Sequence, residues 1–516
     1  SMKPQNDLKL LIDSLSPTEK AYFRKFSGRH FKEESTFRKL FDAIDSIESG
    51  RVNYSEDHIK EKFRNEKFIK QLPVTKIYLY NNILKSLNLY YAEDSIDLKL
   101  NLLINNANIL YKKGLYTQSI KMISKAKVMA EKYDKPVKLL ESIQAERLAL
   151  RVNSSLNEVS TELMRNYEEE QKVLEKMKNI SDYRKLYDMM VIHATAKGIE
   201  AGSEPGNTFE KLLSNRLLRN YENARYFQSR VIFLLMHCFI NNLTGNKSAA
   251  YSYGLECLEL IGDSERNKQA ASYEYILILQ EMMQITYAEG RAGESESYFA
   301  RLMQEQDKLL GDSPLKIQNF LKLRSLMGKL NINSAGGKHE NNLEVIRELI
   351  DITKKNEASS FRDEVIVTDF IAVSVYFANS MYDDSLFHIN RIFNSKAFEL
   401  REDIQVSCRI INLLIHYELG NMGSLEYYIR STYRYLKKRK ELTGFERLVF
   451  EFLKRGQRVS DTKEMKDLFS ETRNKLRKEI ESEPGMLQVI DLDAWLDSKI
   501  QNRSYLDTVK NRNTIG

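Results

Sequence analysis

The sequence predicts an all-α fold, and three observations carry that prediction. Only seven of its 516 residues are proline, the residue most disruptive to a helix interior. Hydrophobic residues make up 42% and charged residues 29%, the balance of an ordinary folded domain. Apolar residues recur at helical spacing along most of the chain and fall into paired runs. The clearest pair lies in residues 101–133, where Leu102 to Tyr111 and Ile120 to Ala126 flank Gly114, the pattern of an antiparallel helical hairpin.

The elements follow in order. Ser16-Pro17-Thr18-Glu19 reads as a capping box with proline at the first helical position, opening a helix whose apolar face holds Tyr22, Phe23 and Phe26. A second helix is expected over residues 35–49, with Phe37, Leu40, Phe41, Ile44 and Ile47 on one face and Gly50 ending it. Ser55 should cap a short third helix, and residues 73–91 form a longer one. Residues 1–97 therefore read as a small helical N-terminal domain. Within it, Thr75, Lys76, Asn81, Asn82 and Lys85 could face DNA if residues 55–63 and 73–91 formed a helix-turn-helix, but the connector exceeds that motif's usual turn of about 3–4 residues.

From residue 98 the hairpin recurs. Gly114 is followed by Tyr116, Ser119, Ile123 and Ala126. The same offsets return as Gly245, Ala250, Gly254 and Cys257; as Gly290, Ala292, Ser295, Phe299 and Leu302; as Ser380, Tyr382, Ser385, Ile389 and Ile392; and as Gly420, Met422, Leu425, Ile429 and Thr432. Leu425 and Thr432 fit least well. Turns without a full pattern fall near Ser154, over residues 198–206 and over 333–337. A small residue after each turn lets two helices approach closely. This order resembles the tetratricopeptide repeat, although the interval of about 40 to 46 residues exceeds the consensus of about 34, and the early tryptophan and closing proline are missing. The resemblance implies a right-handed α-α superhelix, a TPR-like solenoid, over residues 98–481. Helices are expected at residues 445–454 and 461–481, the second capped by Asp461. A capping helix at 487–500, holding the single tryptophan Trp495, and a frayed tail from 504 complete a C-terminal segment of residues 482–516.

Chemistry is hard to find. A net charge of +7 from 79 basic and 72 acidic residues is too small an excess to argue for nucleic acid by itself. Cys238, Cys257 and Cys408 are widely spaced and suggest buried, reduced thiols. The seven histidines show no paired metal-ligand spacing, so neither a metal nor a cofactor is expected. Gly245-Asn246-Lys247-Ser248 lacks the upstream glycine and strand of a phosphate loop and reads as a hairpin turn. Ser295 lacks the second glycine of a nucleophile elbow. An enzyme is not expected.

Two surfaces remain. Arg430, Arg434, Lys437, Lys438, Arg439 and Lys440, interleaved with Tyr433 and Tyr435, form a basic patch, either a grip for nucleic acid or a solvated helix end. The resemblance to tetratricopeptide repeats implies that first helices line a concave groove. Its candidates are Asn108, Tyr111, Asn242, Gln284, Tyr287, Phe377 and Tyr417, a set of rings and amides suited to an extended peptide. The variety that grips chaperone C-termini needs a lysine four residues before its asparagine, where this chain has Ile104 before Asn108. The leading expectation is a scaffold for a protein or peptide. The alternative is a regulator similar to bacterial peptide-sensing receptors, with residues 1–97 as effector module. The N-terminus carries no secretory signal and the longest apolar run, residues 231–240, is far short of the roughly 20 residues of a membrane span, so a cytoplasmic location is expected.

Overall fold

A computed structural model describes residues 4–30, 34–47, 56–92, 95–153, 156–197, 206–311, 313–335, 338–355, 362–395, 402–439, 444–459, 461–482 and 490–513. Among them every regular element is helical and none is a strand. The chain divides into two compact units, residues 1–182 and 183–516.

In the first unit, helices Pro4–Ser14, Pro17–His30, Glu34–Asp45, Glu56–Lys62 and Leu72–Tyr90 enclose a core of Leu8, Ile12, Phe23, Phe41, Ile44, Ile59, Leu79 and Ile83. The capping box forms as expected: Glu19 N–H donates to Ser16 Oγ, and Ser16 N–H to Glu19 Oε2 at 2.6 Å. Ser55 and Gly50 lie outside the described residues. The first helix, Pro4–Ser14, is additional to those expected. Of the five residues that would face DNA in a helix-turn-helix, Asn81 and Lys85 are exposed and three are buried. Thr75 and Asn82 are buried, and Lys76, only 1% exposed, donates to Glu56 Oε1 at 2.5 Å. A lysine committed to an internal ion pair cannot meet a phosphate.

The Gly114 hairpin (Ile96–Lys112, Tyr116–Lys132) and helix Pro136–Asn153 complete this unit with the start of Leu156–Lys197, a single 42-residue helix. In the second unit come the Gly245 hairpin (Phe227–Leu243, Lys247–Ile261) and the Gly290 hairpin (Ser272–Ala288, Ala292–Leu309). The pair Leu315–Ala335 and Asn342–Lys355 follows, then the Ser380 hairpin (Arg362–Ala378, Tyr382–Phe393) and the Gly420 hairpin (Glu402–Glu418, Met422–Arg439). Helix packs on helix in chain order. Helices Gly444–Gly456, Thr462–Ser482, Leu492–Gln501 and Tyr505–Asn513 close the chain. Asp461 accepts from Glu464 N–H as a cap. Residues 504–513 are not frayed: Ser504 Oγ accepts from Asp507 N–H at 3.0 Å and starts a helix.

One turn geometry serves all five hairpins. Gly114, Gly245, Gly290 and Gly420 have φ between 67° and 85°, and Ser380 takes φ 58° without being glycine. In four of them the next N–H reaches back to the carbonyl five residues before it: Leu115 to Leu110, Arg291 to Thr286, Met381 to Tyr376 and Asn421 to His416, all at 2.8–3.0 Å. This is the left-handed cap that satisfies the last carbonyls of a helix. Lys338 N–H makes the corresponding bond to Asn333. The small residue after the turn has a second task. Ser119, Ser295 and Ser385 are buried, and each hydroxyl donates to a carbonyl twelve residues upstream, Ala107, Met283 and Val373. Where the position is Leu425 the side chain is simply buried. At Gly254 a Cβ would lie 2.1 Å from Met282 Sδ, so any larger residue requires the Met282 side chain to move.

These details set two expected results in urea denaturation. Ser295→Ala should lower stability by about 1 kcal/mol through the lost hydroxyl bond. Ser380→Gly should raise it by up to about 1 kcal/mol by relieving a left-handed non-glycine residue.

Candidate functional site

The chemistry-bearing residues of the second unit concentrate on the first helices of the Gly245 and Gly290 hairpins and on the helix after them. Ser272–Ala288 is strongly apolar, with Tyr275, Ile276, Ile278, Leu279 and Met282 fully buried. Such a helix is held in place by its neighbours on nearly every side. Into it the sequence sets Glu281, only 2% exposed. Its carboxylate accepts from Asn242 Nδ2 at 2.5 Å and from the Arg324 guanidinium at 3.2 Å. Lys247 donates to Asn242 Oδ1, so the amide is held from both sides. Arg324 also lies over the Phe239 ring, 5.6 Å from its centre. Burial pushes the Glu281 carboxyl above the usual range, and Arg324, Asn242 and Lys247 oppose that only in part. Burial raises Glu274, two turns earlier, with Arg184 opposing. Tyr187 and Tyr273 hydrogen-bond one another beside it, and burial raises both phenols.

Of the groove candidates, this arrangement absorbs Asn242 as a structural amide. Gln284 and Tyr287 lie one and two turns beyond Glu281, half-buried, and their side chains make no hydrogen bond or ring contact with any described residue. Phe377 is not at the surface: it is 1% exposed and packs edge-on against Tyr382 and Tyr505. Tyr417 is half-buried against Phe452, Phe469 and Trp495. In the first unit Asn108 is exposed and Tyr111 packs edge-on against Tyr116.

The basic patch is divided. Arg430, Arg434 and Lys437 are exposed, with Arg430 paired to Glu426. The side chains of Lys438 and Arg439, and all of Lys440, lie outside the described residues. The two tyrosines make packing contacts. Tyr433 packs on Phe450 under Lys454, and Tyr435 donates to Gln405 beneath Arg409. Both rings are half-buried.

No family model matches the chain, and no curated protein matches it in sequence.

Three further features bear on chemistry. Asn246 caps its helix by accepting from Ala249 N–H, so Gly245 lies in the turn and Lys247 and Ser248 begin the helix. His388 Nδ1 lies 2.7 Å from Asp369 Oδ1, with both residues buried, Arg391 at 3.5 Å from the same oxygen and the imidazole stacked on Tyr376. That pair ties the two helices of the Ser380 hairpin together. Cys238, Cys257 and Cys408 are free and buried, and burial raises all three thiols. Among the described residues no group of His, Cys, Asp and Glu has the geometry of a metal site, and no helix is long and apolar enough to cross a membrane. Sequence reasoning missed Glu281, whose only signal was an acid inside an apolar run.

Proposed function

We propose that the chain is a non-enzymatic scaffold whose hairpins stack as a tetratricopeptide-like superhelix and hold a protein segment against their first helices. The observation that carries this reading is the contrast at equivalent positions. Tyr417 and Phe377, each three residues before its turn, pack against aromatic rings of the chain itself, whereas the half-buried Tyr287 and the nearby Gln284 make no ring contact or side-chain hydrogen bond with any described residue. A ring for packing and an amide for a backbone suit a bound peptide. The buried Glu281 with the half-buried Asn242 and Arg324 ties together the helices that present this surface. A reducing compartment such as the cytoplasm suits three free thiols.

Peptides selected on the full chain from a displayed library provide the test. Tyr287→Ala together with Gln284→Ala should weaken the selected peptides at least tenfold while the helical circular-dichroism signal and melting temperature stay at the wild-type values. Unchanged affinity would place binding elsewhere, and a parallel loss of stability would make both residues core.

The regulator reading has its own support, since helices 4–90 enclose a core of their own. Its target would be a protein, because Val74, Ile77 and Tyr78 are about half exposed on one side of Leu72–Tyr90 while Lys76 is buried.

A further inference from the structure

The last two helices trace a path that explains why some groove positions are covered. Trp495, in Leu492–Gln501, packs edge-on against Tyr417 at 5.7 Å, and its indole N–H donates to Glu418 at 2.6 Å. Lys499 donates to the other oxygen of the same carboxylate at 2.7 Å. Tyr505 then meets Phe377 at 5.7 Å. Lys510 reaches Glu340 at 2.8 Å, just past the turn closed by Lys338. Residues 491–513 thus cross the turn ends of three successive hairpins, moving from the last toward the earlier ones. Next in that order stands the Gly290 hairpin, where Tyr287 occupies the place of Tyr417 and Phe377. The helix packed beside it ends at Leu243, 49% exposed.

We infer that the turn-end surface of Tyr287, Gln284 and Leu243 docks an amphipathic helix of another protein that presents a large aromatic side chain. The inference rests on the scaffold reading and names the occupant. Continuity with the resident interface carries it, because the position three before the turn that receives Trp495 at Tyr417 and Tyr505 at Phe377 recurs at Tyr287, which is half-buried and makes no ring contact with any described residue. The chemistry also matches. The resident helices place a ring against the residue three before the turn and satisfy a polar group beside it. At the open position Tyr287 supplies the ring, Gln284 an amide one turn away, and Leu243 apolar surface for the flank. Helices held in this way are read by anchors at spacings of three and four residues.

A fluorescein-labelled peptide with the sequence of residues 491–513 serves as the probe, titrated into the full chain and followed by anisotropy. Saturable binding is expected, weakened at least tenfold by Tyr287→Ala with Gln284→Ala, weakened as much by Trp495→Ala within the peptide, and changed less than twofold by Glu418→Gln in the protein. Absence of saturable binding overturns the inference. So does binding that survives the Tyr287 and Gln284 changes but falls with Glu418→Gln, which would mean the peptide exchanges with the resident helix. Light scattering of unlabelled protein adds a further arm: concentration-dependent dimers that require Tyr287 would give the site to a second copy and overturn the choice of an outside partner. If display-selected extended peptides need Tyr287 while the helical probe does not bind, the scaffold reading stands and the helical occupant falls.

Discussion

Trp495→Ala is expected to destabilise the second unit by about 3–5 kcal/mol. The side chain is fully buried, with Tyr417, Phe452 and Phe469 arranged edge-on around it at 5.7, 5.8 and 6.1 Å. Truncation leaves a void among aromatic rings that the flanking helices hold apart. It also removes the N–H that Glu418 accepts, although Lys499 still neutralises that carboxylate. Trp495→Phe separates the two effects by keeping most of the packing and losing the bond, and should cost about 1–2 kcal/mol. Urea denaturation followed by circular dichroism gives the comparison. In the wild-type protein the single tryptophan makes fluorescence a direct report of whether this segment is docked. A loss below about 1 kcal/mol in Trp495→Ala would mean that the terminal helices dock independently of their largest side chain.

Glu281→Ala should follow, at about 2–3 kcal/mol, because it leaves the Asn242 amide and the Arg324 guanidinium without their shared acceptor in a closely packed layer. Glu281→Gln isolates the charge. Since burial raises the folded carboxyl above its ordinary 4.5, the native state binds a proton more tightly than the unfolded chain. Between 4.5 and the raised value the native state therefore holds more protons, and the wild-type contribution falls as pH rises through that window. Glutamine cannot ionise. The stability of Glu281→Gln relative to wild type should consequently improve as pH increases from 4.5 to neutrality, read from urea midpoints at several pH values. A gap independent of pH would show that Glu281 titrates like an ordinary surface carboxyl.

Much of the fold was legible because its signals are local and steric. A glycine before a small residue five places on marks a left-handed turn and a close helix crossing, and the structure has that geometry at Gly114 and Gly290. Even Ser380 was readable by its place in the pattern. The helix at residues 505–513 was not. Leu506 and Val509 give it little apolar periodicity, and its order is set by Phe377 and Glu340, which are far away in sequence. Pro4–Ser14 was overshadowed by the stronger capping box just after it. At the site, Asn242, Gln284 and Tyr287 could be proposed from register alone. Their different fates could not, because Asn242 is claimed by a carboxylate 39 residues later and nothing local announces that pairing. For the same reason the sequence around Tyr433 and Tyr435 shows rings beside cations but not the contacts with Phe450 and Gln405, which come from other helices.

The docking of Trp495 also has a consequence for biosynthesis. Its hydrogen-bond partner Glu418 precedes it by 77 residues, so at about 5–20 residues per second Tyr417 and its neighbours wait about 4–15 s for the ring that covers them. During that interval the nascent chain carries an uncovered aromatic cleft built to receive a helix. Chaperones that shield such surfaces would meet the nascent chain in that interval, and slowing the ribosome between the two segments would lengthen the exposure.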